Sequence, residues 1–292
     1  MADVDVMMIG HVARDRLVVD GVSQVATGGA VYYGGTVLRR LGVRVAVVTR
    51  LHPDDWAHLD ELTQEGIQVF AAPAPETSGI ENVYRSVDME RRVCRPLGFA
   101  GLIQVDDLPL LTASVYMVVP IMAGEVGMPM LRHLAARGPV GLDVQGFVRV
   151  REGDSLVFRP WPEMAEGLAL VTYLKVDRAE AELLTGQTDL RAAARQLAGY
   201  GPREVVITQS AGVTVYVDGR VYEEPFTPRS LAGRTGRGDT CFATYVGKRL
   251  TESAEEACRW AAAVTTLKQE QPGPWRGSLD EVRDLLRTRA NR

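Results

Sequence analysis

Two hydrophobic rhythms alternate along this chain. Short, nearly continuous apolar runs at residues 4–10, 43–49, 114–120, 140–143, 168–174 and 204–208 predict buried strands. Between them, residues 31–41, 54–65, 128–137, 179–185 and 190–200 carry their apolar positions at helical spacing. Pro53 and Asp54 mark one helix start, and Gly186 marks a stop. Residues 212–217 and 220–226 predict a hairpin that turns at Asp218-Gly219. The tail predicts three helices, at 239–250, 254–268 and 279–287. Strands alternating with helices imply an α/β protein of three layers, α/β/α, with a mostly parallel central sheet.

One region breaks the alternation. Residues 79–97 read as an antiparallel hairpin inserted into the α/β body, and residues 22–27 could pair with it. Such a small β lid, with strands near 12–27 and 79–98, would cover a site or form a homodimer contact. It could equally be a surface excursion. No repeat or linker divides the chain, so residues 1–292 are expected to form a single domain.

Composition narrows the function classes. The hydrophobic share of 46% and charged share of 24% are those of an ordinary globular protein. A formal net charge of −4 without a basic block argues against nucleic acid as a partner. No apolar run is long enough to span a membrane. The start, Met1-Ala2-Asp3-Val4-Asp5, is unlike a signal peptide, so a cytoplasmic location is expected. Cys94, Cys241 and Cys258 are odd in number and far apart, which fits a reducing compartment.

The candidate chemistry centres on Gly233-Arg234-Thr235-Gly236-Arg237-Gly238-Asp239-Thr240, which runs into a helix-forming segment. A glycine-rich turn at a helix start presents unpaired amides to an anion. Asp239 beside such an anion suggests a general base that takes the proton of an attacking hydroxyl. The plainer alternative is a loop with Asp239 as helix cap. Arg237-Gly238-Asp239 as an adhesion tripeptide would require a secreted protein.

Four further segments should lie where strands end, the usual ligand position in an open α/β sheet. Asp15 follows the first strand, where no Gly-x-Gly-x-x-Gly fingerprint occurs, and could accept substrate hydroxyls or simply sit in a turn. Gly28-Gly29 and, within the next helix, Gly34-Gly35 suggest close approach by a ligand, by the lid or by the sheet. Asp177 and Glu180, after Lys175, could hold Mg²⁺ through water or form a helix-capping box. Thr208, Ser210 and Gly212 form a small polar turn that suits a nucleotide phosphate.

In this order and spacing the segments resemble the ribokinase-like (PfkB) family of small-molecule kinases, over essentially the whole chain. Gly236-Arg237-Gly238-Asp239 matches the family's Gly-Ala-Gly-Asp anion hole and base. Gly28-Gly29 through Leu41-Gly42 matches its N-terminal motif, and Asp177 to Glu180 its Asn-x-x-Glu element. Asp15 matches its substrate-binding aspartate, and Thr208 onward its nucleotide turn with Ser210 for the first glycine. The inserted hairpin matches its lid. The resemblance implies ATP, Mg²⁺ and a carbohydrate-like substrate.

Four departures shape the expectation. Tyr33 stands where sugar-binding members usually carry asparagine, Arg237 replaces a small residue, and Asp177 replaces asparagine. Gly233 replaces an aspartate linked to a monovalent-cation site, so potassium activation is not expected. The segment around Asp143, 141–149, is similar to that of inositol-kinase-like members. Arg14, Arg85 and Arg149 are isolated, so no basic cluster marks a phosphorylated acceptor. The expectation is therefore an ATP-dependent kinase of an unphosphorylated polyol, a cyclitol slightly preferred. Asp239 would be its base, Gly236 to Gly238 its anion hole, and Asp15, Gly28, Gly29, Tyr33 and Asp143 its substrate contacts. Lys175, Thr208, Ser210 and Gly212 would face the nucleotide. A sugar or nucleoside kinase, or a non-catalytic sensor using the same cleft, is the alternative.

Overall fold

The computed structural model describes residues 2–85 and 88–290. The strands are β1 (Val4–Ile9), β2 (Ala13–Val19), β3 (Val22–Gly28), β4 (Val45–Leu51), β5 (Gln68–Pro73), β6 (Gly79–Arg85), β7 (Asp88–Gly98) and β8 (Ala113–Val118). They continue with β9 (Val140–Asp143), β10 (Arg149–Glu152), β11 (Ser155–Phe158), β12 (Tyr173–Asp177), β13 (Glu204–Thr208), β14 (Gly212–Val217) and β15 (Arg220–Pro225). The α-helices are α1 (Ala30–Arg40), α2 (Asp60–Gln64), α3 (Met128–Ala135), α4 (Gln145–Val148) and α5 (Met164–Leu168). After them come α6 (Arg178–Thr185), α7 (Leu190–Ala198), α8 (Arg237–Arg249), α9 (Ala254–Gln269) and α10 (Leu279–Ala290).

Among the described residues the main sheet has nine strands in the order β15-β14-β13-β12-β9-β8-β1-β4-β5. From β12 to β5 neighbours are parallel, and β13 also runs parallel to β12. The β14–β15 hairpin closes one edge antiparallel. Strand alternation explains why both faces are dry. Val6, Met8, Val45 and Val47 pack in one core with Val37, Phe242 and Ala262 of α1, α8 and α9. Met7, Ile9, Ala46 and Val48 point the other way, into a core with Leu131, Ala181 and Ala194 of α3, α6 and α7. The three-layer α/β/α expectation holds.

The lid is a four-stranded sheet, β3-β2-β6-β7. Its pairing corrects one expectation: β3 pairs with β2, and β2 lies between it and the β6–β7 hairpin. Both strands fall in the 12–27 stretch expected to carry lid strands, and polar Arg14, Asp15 and Arg16 hid only the order of pairing, because only one lid face needs apolar residues. Residues 86–87, within the 79–97 stretch, lie outside the described residues, as do Met1 and residues 291–292. The run 168–174 also differs from expectation. Leu168 ends α5, and the strand is Tyr173–Asp177. A short apolar run cannot by itself separate a helix end from a buried strand.

Packing explains Gly34 of the Gly34-Gly35 pair, whereas a Cβ on Gly35 would meet nothing nearer than 3.4 Å. A Cβ on Gly34 would lie 2.6 Å from Met8 Cε and 3.1 Å from Ala243 Cβ, so the glycine lets α1 approach both β1 and α8.

Candidate active site

Because the central strands are parallel, their carboxyl ends share one edge of the sheet. There β12 sets Lys175 beside Asp143 of β9 and Asp177 beside Thr208 of β13. Helix α8 starts above that edge. Its N-cap is Gly236, in the left-handed conformation at φ 81°, and no side chain caps the terminus. A Cβ at Gly236 would meet the Tyr33 ring at 2.3 Å, so the turn and the ring are in direct contact. Asp239 lies in the first turn of α8 and is not its cap. A helix leaves its first-turn amides without internal partners; here the Arg237 amide donates to the Arg234 carbonyl at 3.2 Å, and the others, with the helix dipole, can bind an anion.

Two adjoining cavities lead to this terminus. The narrower, about 90 Å³, is lined by Asp239, Asp15, Asn82, Gln145 and Arg149 among others. The wider, about 260 Å³, shares Asp15, Tyr33, Asn82 and Thr235 with it and adds Tyr32 and Gly233. The sheet edge, the α8 terminus and the lid thus enclose one cleft. A larger cavity of about 740 Å³ lies between β15, α9 and α10, includes none of these groups and is walled by Glu224, Glu270, Glu281 and Asp284.

Asp15 projects from β2 of the lid and accepts a 2.8 Å hydrogen bond from the Ile80 amide. A Cβ on Gly28 would lie 2.0 Å from Asp15 Oδ2, and one on Gly29, at φ +92°, would lie 2.3 Å from the His11 carbonyl. Gly28 therefore makes room for the Asp15 carboxylate, and Gly29 for the backbone that follows β1. Asp239 retains some surface toward the cleft but is densely surrounded. Burial, then the charge of Asp143, pushes its carboxyl up to about 6, against the pull of Lys175, Arg149 and Lys268. A carboxylate that titrates near neutrality can both accept and release a proton.

Asp143 is not a lining group of the cleft. Its carboxylate pairs with Lys175 Nζ at 3.0 Å, and the Gln145 amide donates to its Oδ1 at 3.0 Å. Lys175 also faces Glu180 Oε2 at 3.7 Å, and its Nζ is 3.6 Å from where a Gly238 Cβ would be. It therefore lies directly under the α8 terminus, with Thr208 Oγ1 beside it at 3.8 Å from the same point. Attraction to Asp143, Glu180, Asp177 and Asp239 outweighs burial and holds its pKa above the usual range.

Asp177 and Glu180 form the capping box that was one of their two readings. Glu180 N donates to Asp177 Oδ1 at 2.8 Å, and Asp177 N to Glu180 Oε2 at 2.6 Å. Among the described residues no group of three or more His, Cys, Asp or Glu could hold a metal. Glu180 Oε1, however, is buried without a hydrogen-bond partner. That oxygen fits a hydrated cation better than a bare helix cap does. Ser210 is exposed in the β13–β14 turn, and Gly212 is a glycine because β15 approaches it: its Cβ would lie 2.4 Å from the Glu224 carbonyl. Neither lines the cleft.

Sequence reasoning missed Asn82, Gln145 and Lys268. Asn82 alternates inward on a lid strand too irregular to assign faces in advance. Gln145 and Arg149 hold each other, Nη2 to Oε1 2.8 Å, across the short α4, and the unusual 141–149 segment was their only signal.

A lid over a mostly parallel sheet, with an open helix terminus and a near-neutral carboxylate between them, defines a phosphotransferase with a hydroxyl acceptor. The chain belongs to the pfkB family of carbohydrate kinases, whose profile matches residues 6–280. It is similar to a pyrophosphate-dependent kinase in the ribokinase family, complexed with a pyrophosphate analog and myo-inositol, at 35% identity and TM-score 0.88, covering 96% of this chain and 98% of that one. It is 28% identical to a cytidine kinase of Thermococcus kodakarensis over 80% of this chain and 84% of that protein. The ribokinase of Arabidopsis thaliana, complexed with ribose and ATP, shares the fold at 20% identity and TM-score 0.76, covering 98% and 99%.

Proposed function

We propose that this chain transfers a phosphoryl group to one hydroxyl of an unphosphorylated ring polyol, a cyclitol of the inositol type ahead of an aldose. The observation that carries this reading is that Asp239 and Asp15 open into one narrow cavity beneath the lid. One carboxylate is fixed to accept hydrogen bonds from hydroxyls, and the other sits at the anion-binding helix terminus.

In the proposed mechanism Asp15, Asn82 and Arg149 orient the polyol. Asp239 takes the proton of the attacking hydroxyl as its oxygen bonds to phosphorus. The bond from phosphorus to the leaving oxygen breaks, and the amides at Gly236 to Gly238 stabilise the charge on the transferred group. Arg237 and Lys175 add positive charge on the donor side. The lid keeps out water, which would compete as acceptor. Glu180, with Asp177, would hold Mg²⁺ through water, and that ion would neutralise phosphate oxygens.

The donor reading moves from ATP to pyrophosphate. The likeness to a pyrophosphate-dependent kinase supports this. So does Arg237, where a small residue was expected, since a guanidinium suits a compact, highly charged donor. A dimer through the lid stays part of the proposal, supported by Val22 and Val25, which are 75% and 49% exposed on edge strand β3.

The test is a matrix of two donors, ATP and pyrophosphate, against myo-inositol, ribose, fructose, cytidine and adenosine, with products read by ³¹P NMR. Turnover of myo-inositol with pyrophosphate is expected. Turnover with ATP alone would restore the nucleotide reading. Tight polyol binding without turnover in any combination would favour a sensor.

A further inference from the structure

Lys268, near the end of α9, is a charged side chain with only 1% of its surface exposed. An ammonium taken out of water is costly unless its surroundings compensate. Here it donates to the carbonyl oxygen of Gly233. Its Nζ also lies 5.2 Å from the centroid of the Tyr33 ring. The charge of Asp239 favours the protonated form, and although burial lowers its pKa to about 8 it remains charged at neutral pH.

Those three partners all belong to the cleft. Gly233 opens the turn into α8, Tyr33 packs on Gly236, and Asp239 lies in the first turn of α8. The end of α9 grips Gly233 from both sides. The Gly233 amide donates to the Gln269 carbonyl at 2.8 Å, while its own carbonyl takes the Lys268 ammonium. A Cβ at position 233 would lie 1.7 Å from the Gln271 carbonyl oxygen and 2.7 Å from that of Lys268. No side chain, and so no carboxylate, fits at this position. The cation beside the turn is supplied by the chain.

We propose that Lys268 is a built-in cation, a positioning residue whose ammonium fixes the Gly233 carbonyl and hence the turn that presents the α8 amides to the donor. Activity then needs no monovalent metal ion. The inference rests on the phosphoryl-transfer reading above, but its anion-binding part can be measured without turnover.

Pyrophosphate affinity by calorimetry, and kcat and KM for myo-inositol, are compared in wild type, Lys268→Met and Lys268→Ala. The salts are K⁺, Na⁺, ammonium and tetramethylammonium at fixed ionic strength. In Lys268→Met, pyrophosphate affinity and kcat should fall by at least ~10-fold, the loss of one charged hydrogen bond, with polyol KM less affected. In Lys268→Ala, ammonium or K⁺ should restore part of the loss, while wild type changes by less than about twofold between salts. Full pyrophosphate affinity in folded Lys268→Met would overturn the proposal, and so would strong K⁺ activation of wild type. If neither variant folds, the wild-type salt series decides alone. Salt-independent pyrophosphate binding by a wild type that phosphorylates no polyol would sink the functional reading and leave this one standing.

Discussion

Lys175 and Asp143 are register partners on β12 and β9, and their side chains form an ion pair of 3.0 Å under the α8 terminus. Both are nearly solvent-free, at 4% and 3% side-chain exposure. The pair fixes one positive charge below Gly238, but it also occupies the lysine. Replacing Lys175 by Met would leave Asp143 and Glu180 as buried, unpaired carboxylates. Urea unfolding should show a loss of about 3–5 kcal/mol. Lys175→Met/Asp143→Asn should recover part of that stability. If pyrophosphate affinity recovers equally, the lysine is only structural; if it stays low, Lys175 meets the donor.

Asp239 carries the proposed proton transfer. Asp239→Asn should bind donor and polyol near normally, while kcat falls by ~10²–10⁴. In wild type, kcat/KM should fall as pH drops through about 6, because the base must be ionised. The linkage has a definite sign. The folded chain holds this proton above the ordinary value of 3.8, so between pH 4 and 6 the fold binds more protons than the unfolded chain. The stability contribution of Asp239 therefore declines as pH rises through that window. Asp239→Asn should then unfold at higher temperature than wild type at pH 7, by a free energy of no more than about 3 kcal/mol. A variant that is both active and unshifted in melting would remove Asp239 from both roles.

The layers of the fold were legible because strand and helix periods differ and both sheet faces are dry. The Gly236-Arg237-Gly238-Asp239 turn was legible because few structures need glycine twice before an acid at a helix start. Three things were not. Asp143 looked like a free carboxylate until its register partner was known, and pairing across β9–β12 is invisible in a linear reading. Gly34 left ligand, lid and sheet contact open, and Gly212 looked like a nucleotide contact; their neighbours are Met8 and the Glu224 carbonyl. Lys268 carried no signal, because a lysine inside a helix normally faces water.

Gly34 tests the packing account directly. Its missing side chain makes room for Met8 and Ala243, and it does not itself line the cleft, although its chain neighbour Tyr33 does. Gly34→Ala adds helix propensity but overpacks the α1–α8 contact. A net loss of about 1–3 kcal/mol is expected, with kcat per folded molecule unchanged. A drop in kcat at constant stability would mean that a ligand approaches this glycine after all.

Glu180 separates a helix cap from a metal contact. Burial pushes its carboxyl up to about 7 against the pull of Lys175, and its Oε1 has no partner. Glu180→Gln keeps an oxygen for the Asp177 amide and removes the charge. If the orphan oxygen faces hydrated Mg²⁺, the Mg²⁺ concentration for half-maximal rate should rise by ~10-fold or more, the scale of losing an outer-shell metal contact. An unchanged Mg²⁺ titration would return the residue to capping alone.

Substrate class turns on Asp15. Its Oδ1 is already held by the Ile80 amide at 2.8 Å, so it is oriented before any ligand arrives. A fixed carboxylate rewards hydroxyl donors and repels a phosphorylated acceptor. Arg149 is the cation lining that end of the cleft, and its guanidinium is already engaged with Gln145. Tyr33 lines the same space with a ring that has no amide to read a ribose-type pattern. Together these favour a neutral ring polyol over both an aldose and a sugar phosphate. Asp15→Asn should raise KM for myo-inositol by ~10–100-fold, the scale of one charged hydrogen bond, with donor affinity unchanged. In wild type, kcat/KM should rank myo-inositol above ribose and fructose, and those above fructose 6-phosphate. Preference for fructose 6-phosphate would refute the charge argument, and preference for adenosine or cytidine would refute the argument from Tyr33.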